Sequence, residues 1–358
     1  MSMRGDLADM LRLNSIRKNL RYSAFRVGLN AIAFSGLNRL LPSAAGRGVI
    51  FTLHHVGPDR ADDFQPNAIL SVTPEFLQQT IETVLDAGLT PVHLHDLPQL
   101  LSDKSDNRKF VAFTFDDGYR NNAQLAAPVL RRFGVPFTVF PAIGFIDRSR
   151  TIWWETAEAL LKNTAQIRFD FGRGIETVKT ASAAEKYETF ERLGKYVRHC
   201  DEDEAVRRID KLAISQCAVD PSEIVERVVL SVAELRAFAA DPLVRIGGHT
   251  LSHVNLRRVD DERLRHEIEG STEAIESYVG YRPKSFSYPY GWCSAVGPRE
   301  INAVIEAGYD VAVTTRSGVL HCNDAMHPTA IRRISLNGNF QKQRYVKALI
   351  SGLAFKFL

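Results

Sequence analysis

Phe110-Val111-Ala112-Phe113-Thr114-Phe115-Asp116-Asp117-Gly118 is an apolar run that ends in two adjacent carboxylates and a glycine. The run reads as a buried strand, and Gly118 marks the turn that closes it. Two neighbouring acids at the mouth of such a strand suffer desolvation and mutual repulsion unless something positive sits between them. A bound cation is the usual compensation. The stretch therefore sets two expectations together, a buried strand and a metal at its end.

Outward from this strand the rhythm is α/β. Residues 49–56 read as an earlier strand, and 73–88 as a helix with Thr73 as N-cap and Pro74 in its first turn. A strand at 91–94 and a helix at 96–101 follow. Downstream, a helix over 121–133 stops at Gly134-Val135-Pro136, and residues 137–140 form the next strand. This alternation argues for parallel pairing. Residues 151–240 interrupt it: they are rich in Glu, Lys, Arg and Ala, with helical periodicity over 183–197 and 202–214, and read as a helical insertion or lid. Alternation resumes with helices over 232–240, 260–279 and 298–307 and strands at 244–247, 285–288 and 311–314. The first 45 residues read as helical, ahead of the breakers Pro42 and Gly46-Arg47-Gly48.

The 358 residues suffice for one barrel-sized domain. Hydrophobic content of 45% and charged content of 24% are those of a soluble globular chain rather than a disordered one. The net charge of +3 is unevenly spread: residues 1–49 carry eight Lys/Arg against two acids, and after Asp324 six cations follow with no acid. The charge-free stretch from Val27 to Asn38 falls short of the ~20 apolar residues that span a bilayer. Cys200, Cys217, Cys293 and Cys322 show no CxxC spacing and read as free thiols, and no signal-peptide layout is visible. The expectation is a cytoplasmic protein, with peripheral membrane association through its basic termini. No nucleic-acid-reading motif accompanies the basic ends.

A second motif, His249-Thr250-Leu251-Ser252-His253, follows the 244–247 strand behind Gly247-Gly248. One helical turn, or a loop entering a helix, sets both rings on the same side. A carboxylate from another strand end would complete a His-His-Asp face with an open position for water. Alternation sends Asp116 and Asp117 in different directions, so one binds metal and the other is free to act as a base. An isolated Asp-Asp-Gly is often a turn, and an isolated HxxxH is often structural. Their co-occurrence, each behind a strand, selects a metal-dependent hydrolase.

On these residues the chain resembles the polysaccharide deacetylases of carbohydrate esterase family 4, the group with the NodB homology domain. Thr114 to Gly118 match its Thr-Phe-Asp-Asp-Gly motif, and His249 to His253 match its His-Ser/Thr-x-x-His motif. The resemblance implies an α/β fold, a distorted (β/α) barrel, often of seven strands, with its site at the strand C-terminal ends. It divides the chain into a basic helical N-terminal extension (1–47), a barrel (48–335) with a helical insertion (about 151–240), and a basic C-terminal tail (336–358). It implies that Asp116 is the catalytic base, that Asp117, His249 and His253 hold the ion, and that Thr250 or Ser252 steadies their loop. Zinc is the expected ion, with cobalt, nickel or manganese as other occupants of such a ligand set.

A third family motif, Arg followed by Pro-Tyr/Phe-Gly, survives here as Ser287-Tyr288-Pro289-Tyr290-Gly291, with Ser287 where the Arg belongs. The backbone N–H of Tyr290 is the candidate oxyanion donor. Arg333 is the candidate replacement for the missing Arg, set against a plain structural ion pair. For the general acid, a branch of the family supplies a His from the first strand, where His54 fits best and His55 points to the opposite face. His321 and His327 are the alternatives. Trp153, Trp154 and Trp292 read as core aromatics or as a platform for sugar rings. The implied reaction is hydrolysis of N-acetyl groups on a hexosamine-containing saccharide or glycolipid. The rivals are a deformylase or amidase acting on a lipid-linked sugar or small amide, and a non-catalytic carbohydrate-binding relative.

Overall fold

The computed structural model describes residues 20, 22–36, 41–59 and 61–357. Seven parallel strands form its centre: β1 (Gly48–Leu53), β2 (Lys109–Asp117), β3 (Phe137–Pro141), β4 (Val244–Ile246), β5 (Ser285–Ser287), β6 (Val311–Val313) and β7 (Ile334–Ser335). Strands β1 and β3 are buried at every position, and β2 everywhere but Lys109. Parallel strands covered on both faces read as continuous apolar runs rather than alternating ones.

The register runs from Gly48 opposite Phe110 to Leu53 opposite Phe115, then Phe113 opposite Phe137, and Phe137 opposite Val244. Strand β5 pairs with β6, and β7 returns to β1 with Phe51 opposite Ile334. Single bridges, Gly248 to Phe286 and Val313 to Ile331, join β4 to β5 and β6 to the approach of β7. The ring is closed but distorted at those two thin seams, a seven-stranded (β/α) barrel as the family resemblance implies. The short strand expected at 91–94 lies earlier, at Leu89–Pro91, against the start of β2.

Helices cover the ring. Helix α1 (Pro74–Asp86) is capped by Thr73, whose hydroxyl accepts from Phe76 N, and buries Phe76, Leu77, Ile81 and Val84. The segment after β2 opens with a π-helical turn, Asn122–Ala126, before settling into α-helix at Ala127–Arg132. Beyond β3 stand α2 (Trp153–Lys162), α3 (Ala183–His199) and α4 (Glu202–Cys217), which share a small core of their own around Leu160, Leu161, Leu193 and Ile209. The same segment holds an antiparallel hairpin, Gln166–Asp170 with Ile175–Lys179, that a purely helical reading missed. Helix α5 (Asp261–Val279) starts at the N-cap Asp260 and stops at Gly280. Residues 22–35 are helical. Of the helical expectation for the first 45 residues, 1–19, 21 and 37–40 lie outside the described residues, and Pro42–Ala45 form a short 3-10 turn.

Candidate active site

The barrel presents the C-terminal ends of its strands on one side, and the expected residues converge there from four of them. Asp116 and Asp117 end β2, His54 follows β1, His249 and His253 follow β4, and Arg333 enters β7. Neighbouring Asp116 and Asp117 part company because the backbone turns between them. Asp117 sits at φ 72°, in the left-handed region. Gly118 follows at φ 77°, and a Cβ there would lie 2.9 Å from Pro141 Cβ, so only glycine lets the chain turn this tightly against β3.

Asp116 is held by one residue above all. Arg333, wholly buried, donates from Nη1 to Oδ1 at 2.8 Å and from Nη2 to Oδ2 at 2.7 Å, a bidentate pair. Its remaining donors reach Thr314 O, Thr114 Oγ1 and Ser287 Oγ, each at 3.0 Å. Ser287, standing where the family motif has its Arg, thus makes room for a guanidinium arriving from a different strand and accepts one of its hydrogen bonds. Burial alone would raise the Asp116 carboxyl, but the charge and hydrogen bonds of Arg333 outweigh it and hold the group below its ordinary value.

Asp117 faces the imidazoles. Its Oδ1 lies 3.4 Å from His249 Nε2 and 3.3 Å from His253 Nε2, and it makes no hydrogen bond although fully buried. Burial would raise this carboxyl as well, and the two histidines instead pull it well down. The arrangement fits a metal ion better than a hydrogen-bonded triad. Two ligand atoms each ~2.1 Å from a tetrahedral ion stand ~3.4 Å apart, and the three candidate atoms here all lie within 4.8 Å of one another. An orphaned buried carboxylate oxygen is the feature a cation would satisfy. His249 Nδ1 donates to Ser287 O at 2.6 Å, which leaves its Nε2 lone pair directed at the same point.

The two histidines stand on a loop, with no helical turn between them. Thr250 and His253 both have positive φ, 67° and 56°. Thr250 Oγ1 accepts from His253 N at 2.9 Å, and Glu267 on α5, fully buried, accepts from Leu251 N, Ser252 N and Ser252 Oγ. Both hydroxyls of the motif therefore steady the loop, and Glu267 is a support that sequence reasoning missed. Four of the six non-glycine residues at positive φ among those described, Asp117, Thr250, His253 and Tyr290, belong to this site. Such strain costs roughly 1–3 kcal/mol per residue and persists where the surroundings enforce it.

Tyr290 (φ 63°) carries the third motif. Its backbone N–H has no hydrogen-bond partner among the described residues, as an oxyanion donor requires. Its hydroxyl donates to Glu202 Oε1 at 2.5 Å, and Glu202 Oε2 also accepts from Asn255 N at 3.0 Å. Glu202 opens α4, so the insertion props the catalytic loops directly, a tie with no sequence signature. Burial, with Glu202 beside it, pushes the phenol well up and keeps it a donor.

His54 is partly buried, with its carbonyl accepting from Asn122 Nδ2 at 2.6 Å in the π-helical turn. Desolvation lowers the imidazole below 6.5 against the opposing pull of Asp117 and Asp116. His55 is otherwise engaged: it meets Glu155 at 3.2 Å and Asn121 at 3.0 Å and lies over the Tyr119 ring. His321 follows Leu320, which bridges to Gly48 at the start of β1, the end remote from Asp116; His327 is exposed in the same connection ahead of β7. Among the tryptophans, Trp154 packs on His253 and donates to Tyr119 Oη, and Trp153 packs on Trp154 and Phe190. Trp292 alone of the three is exposed, its ring 5.0 Å from that of Tyr290.

Comparison with known proteins follows the same residues. The polysaccharide deacetylase family profile matches residues 103–170 and 213–312. The peptidoglycan-N-acetylglucosamine deacetylase of Bacillus cereus is 41% identical over 46 residues, 13% of this chain, and the match spans only 17% of that relative's length. Among solved structures, the Streptococcus pyogenes deacetylase PplD in complex with acetate superposes with a TM-score of 0.52 at 14% identity, over 84% of this chain and 98% of that one. A polysaccharide deacetylase from Bacillus cereus gives 0.52 at 14% identity, over 84% and 68%. IcaB from Ammonifex degensii gives 0.52 at 17% identity, over 85% and 98%. The profile falls on both motif-bearing strands and the same barrel recurs in these structures, so the chain is similar to the polysaccharide deacetylase family in sequence and shares its fold.

Proposed function

We propose that the chain removes N-acetyl groups from hexosamine units of a saccharide or glycolipid by metal-assisted hydrolysis. The observation that carries this reading is the division of labour between the paired acids: Asp116 kept ionised by Arg333, and Asp117 left open toward two imidazoles. Asp117, His249 and His253 would hold a divalent transition ion, zinc first. Such an ion, when bound, supplies a water of lowered pKa and a Lewis acid for the acyl carbonyl.

The chain's own groups complete the reaction. Ionised Asp116 accepts a proton from the attacking water as its oxygen bonds to the acyl carbon. The free N–H of Tyr290 donates to the oxygen that gains charge. The carbon–nitrogen bond then breaks, and protonated His54 gives its proton to the departing nitrogen. The products are acetate and an amino sugar. Exposed Trp292, beside Tyr290, is the surface on which a sugar ring can stack.

The test is acetate or formate release from a panel of N-acylated saccharides, with metal-free and zinc-reconstituted protein. Asp116→Asn should lose turnover while binding the same amount of ion. Full activity in that variant would remove Asp116 from the role of base, and formate release alone would favour the deformylase reading.

A further inference from the structure

The outward side of the 22–35 helix is apolar. Leu20, Val27 and Phe34, spaced by seven, are 64%, 68% and 78% exposed. Ala24 and Ala31, exposed as well, lie between them. Seven residues make about two helical turns, so these side chains form one stripe. The opposite side is already satisfied. Leu29 and Ile32 are buried, the Tyr22 and Phe25 rings meet Phe340 edge-on at 6.0 and 5.2 Å, and Arg344 donates to Asn30 at 2.7 Å. Holding the helix on the barrel does not call for the outer stripe.

Along the helix and the C-terminal segment the charge is of one sign. No acid occurs between Met10 and Pro58, and none after Asp324. Arg26 is exposed on the helix itself, and Lys342, Lys347 and Lys356 are exposed in the C-terminal segment on which it packs. A second copy of the chain could cover a stripe of this spacing, but it would press two copies of these cationic, acid-free segments together. An anionic bilayer accepts both features, apolar side chains at the acyl boundary and lysines among the phosphates.

We propose that the 22–35 helix, with the flanking C-terminal segment 342–356, docks the enzyme on the surface of an anionic membrane. The protein lies on the bilayer through this face: no helix among the described residues is long and apolar enough to cross it.

Sedimentation of the full chain with vesicles tests this, using phosphatidylcholine alone and phosphatidylcholine with a third phosphatidylglycerol, at low and high salt. The expected result is binding to the anionic vesicles only, weakened by salt. In Val27→Ser/Phe34→Ser the partition should fall at least about tenfold, with acetate release from a soluble oligosaccharide unchanged. Lys347→Glu/Lys356→Glu checks the charge arm without touching the stripe. Binding to neither vesicle overturns the proposal, as does binding that survives both double substitutions. A wild-type dimer in light scattering, converted to monomer by Val27→Ser/Phe34→Ser without any vesicle binding, assigns the face to a second copy instead. Because sedimentation needs no turnover, its failure leaves the hydrolase reading untouched, and an inactive enzyme can still bind vesicles.

Discussion

Arg333→Met asks more of the site than any other single change. Methionine fills much of the space but replaces none of the five hydrogen bonds that the guanidinium makes. Removing one partner of a buried ion pair costs about 3–5 kcal/mol, because the other charge is left uncompensated. For a chain of this size that is roughly 4–7 °C in melting temperature. The effect on Asp116 has a definite sign. Burial pushes its carboxyl up and Arg333 pulls it down, with His249 and His54 adding less. Without Arg333 burial prevails and the pKa rises. In the wild type, a folded-state pKa below the unfolded one gives stability that is present above the unfolded value and lost as pH falls through the folded one. In the variant burial raises the folded pKa and the sign reverses: the contribution is present at low pH and lost as pH rises through the folded value. The ionised base is then lost at a higher pH than in the wild type. The acid limb of kcat/KM should therefore move to higher pH, and kcat should fall by about 10²-fold as the base loses its orientation. Thermal melts and a pH series of acetate release measure all three. Adding Ser287→Arg, whose side chain would start beside the space that Arg333 leaves, should bring the acid limb part of the way back. If Arg333→Met melts with the wild type and keeps both kcat and its acid limb, the guanidinium does not govern the base.

His54→Gln should lower kcat by about 10²–10⁴-fold, as loss of a general acid does. It should also erase an alkaline limb that in the wild type lies below 6.5, where desolvation has pushed the imidazole. An unchanged alkaline limb would move proton donation to another group. Chelation should lower melting temperature together with turnover; zinc at a thousandfold excess over Kd should restore about 4 kcal/mol of stability, and Asp117→Ala should show no such gain. Glu267→Gln, which weakens the support beneath Leu251 and Ser252, should reduce metal affinity about 10–100-fold in a competition assay with a coloured chelator. Equal affinity would make Glu267 a scaffold residue with no influence on the ligands.

The apolar runs announced most barrel strands because a strand buried on both faces leaves no room for polar alternation. The Thr114–Gly118 and His249–His253 motifs gave the site because each falls where a strand ends. Other features depend on partners distant in sequence. Ser287, standing where the family motif has its arginine, pointed to Arg333 as a replacement, and the structure pairs Arg333 with Asp116, 217 residues away; the bidentate geometry itself left no local signal. Glu202 and Glu267 look like ordinary helix glutamates until burial and their backbone donors are seen. The hairpin at 166–179 was hidden by a surrounding helical composition. Its alternating Ile167 and Phe169, followed by Gly172 and Gly174 at positive φ, were the available signal.

Strand β7 delivers the guanidinium, which ties chemical competence to the last stage of assembly. A chain emerging from the ribosome has both acids and both imidazoles long before it has Arg333. A truncated product lacking that strand would leave Asp116 without its counter-charge beside an otherwise finished ligand set. Closure of the ring and the pairing of Asp116 with its counter-charge are thus one event.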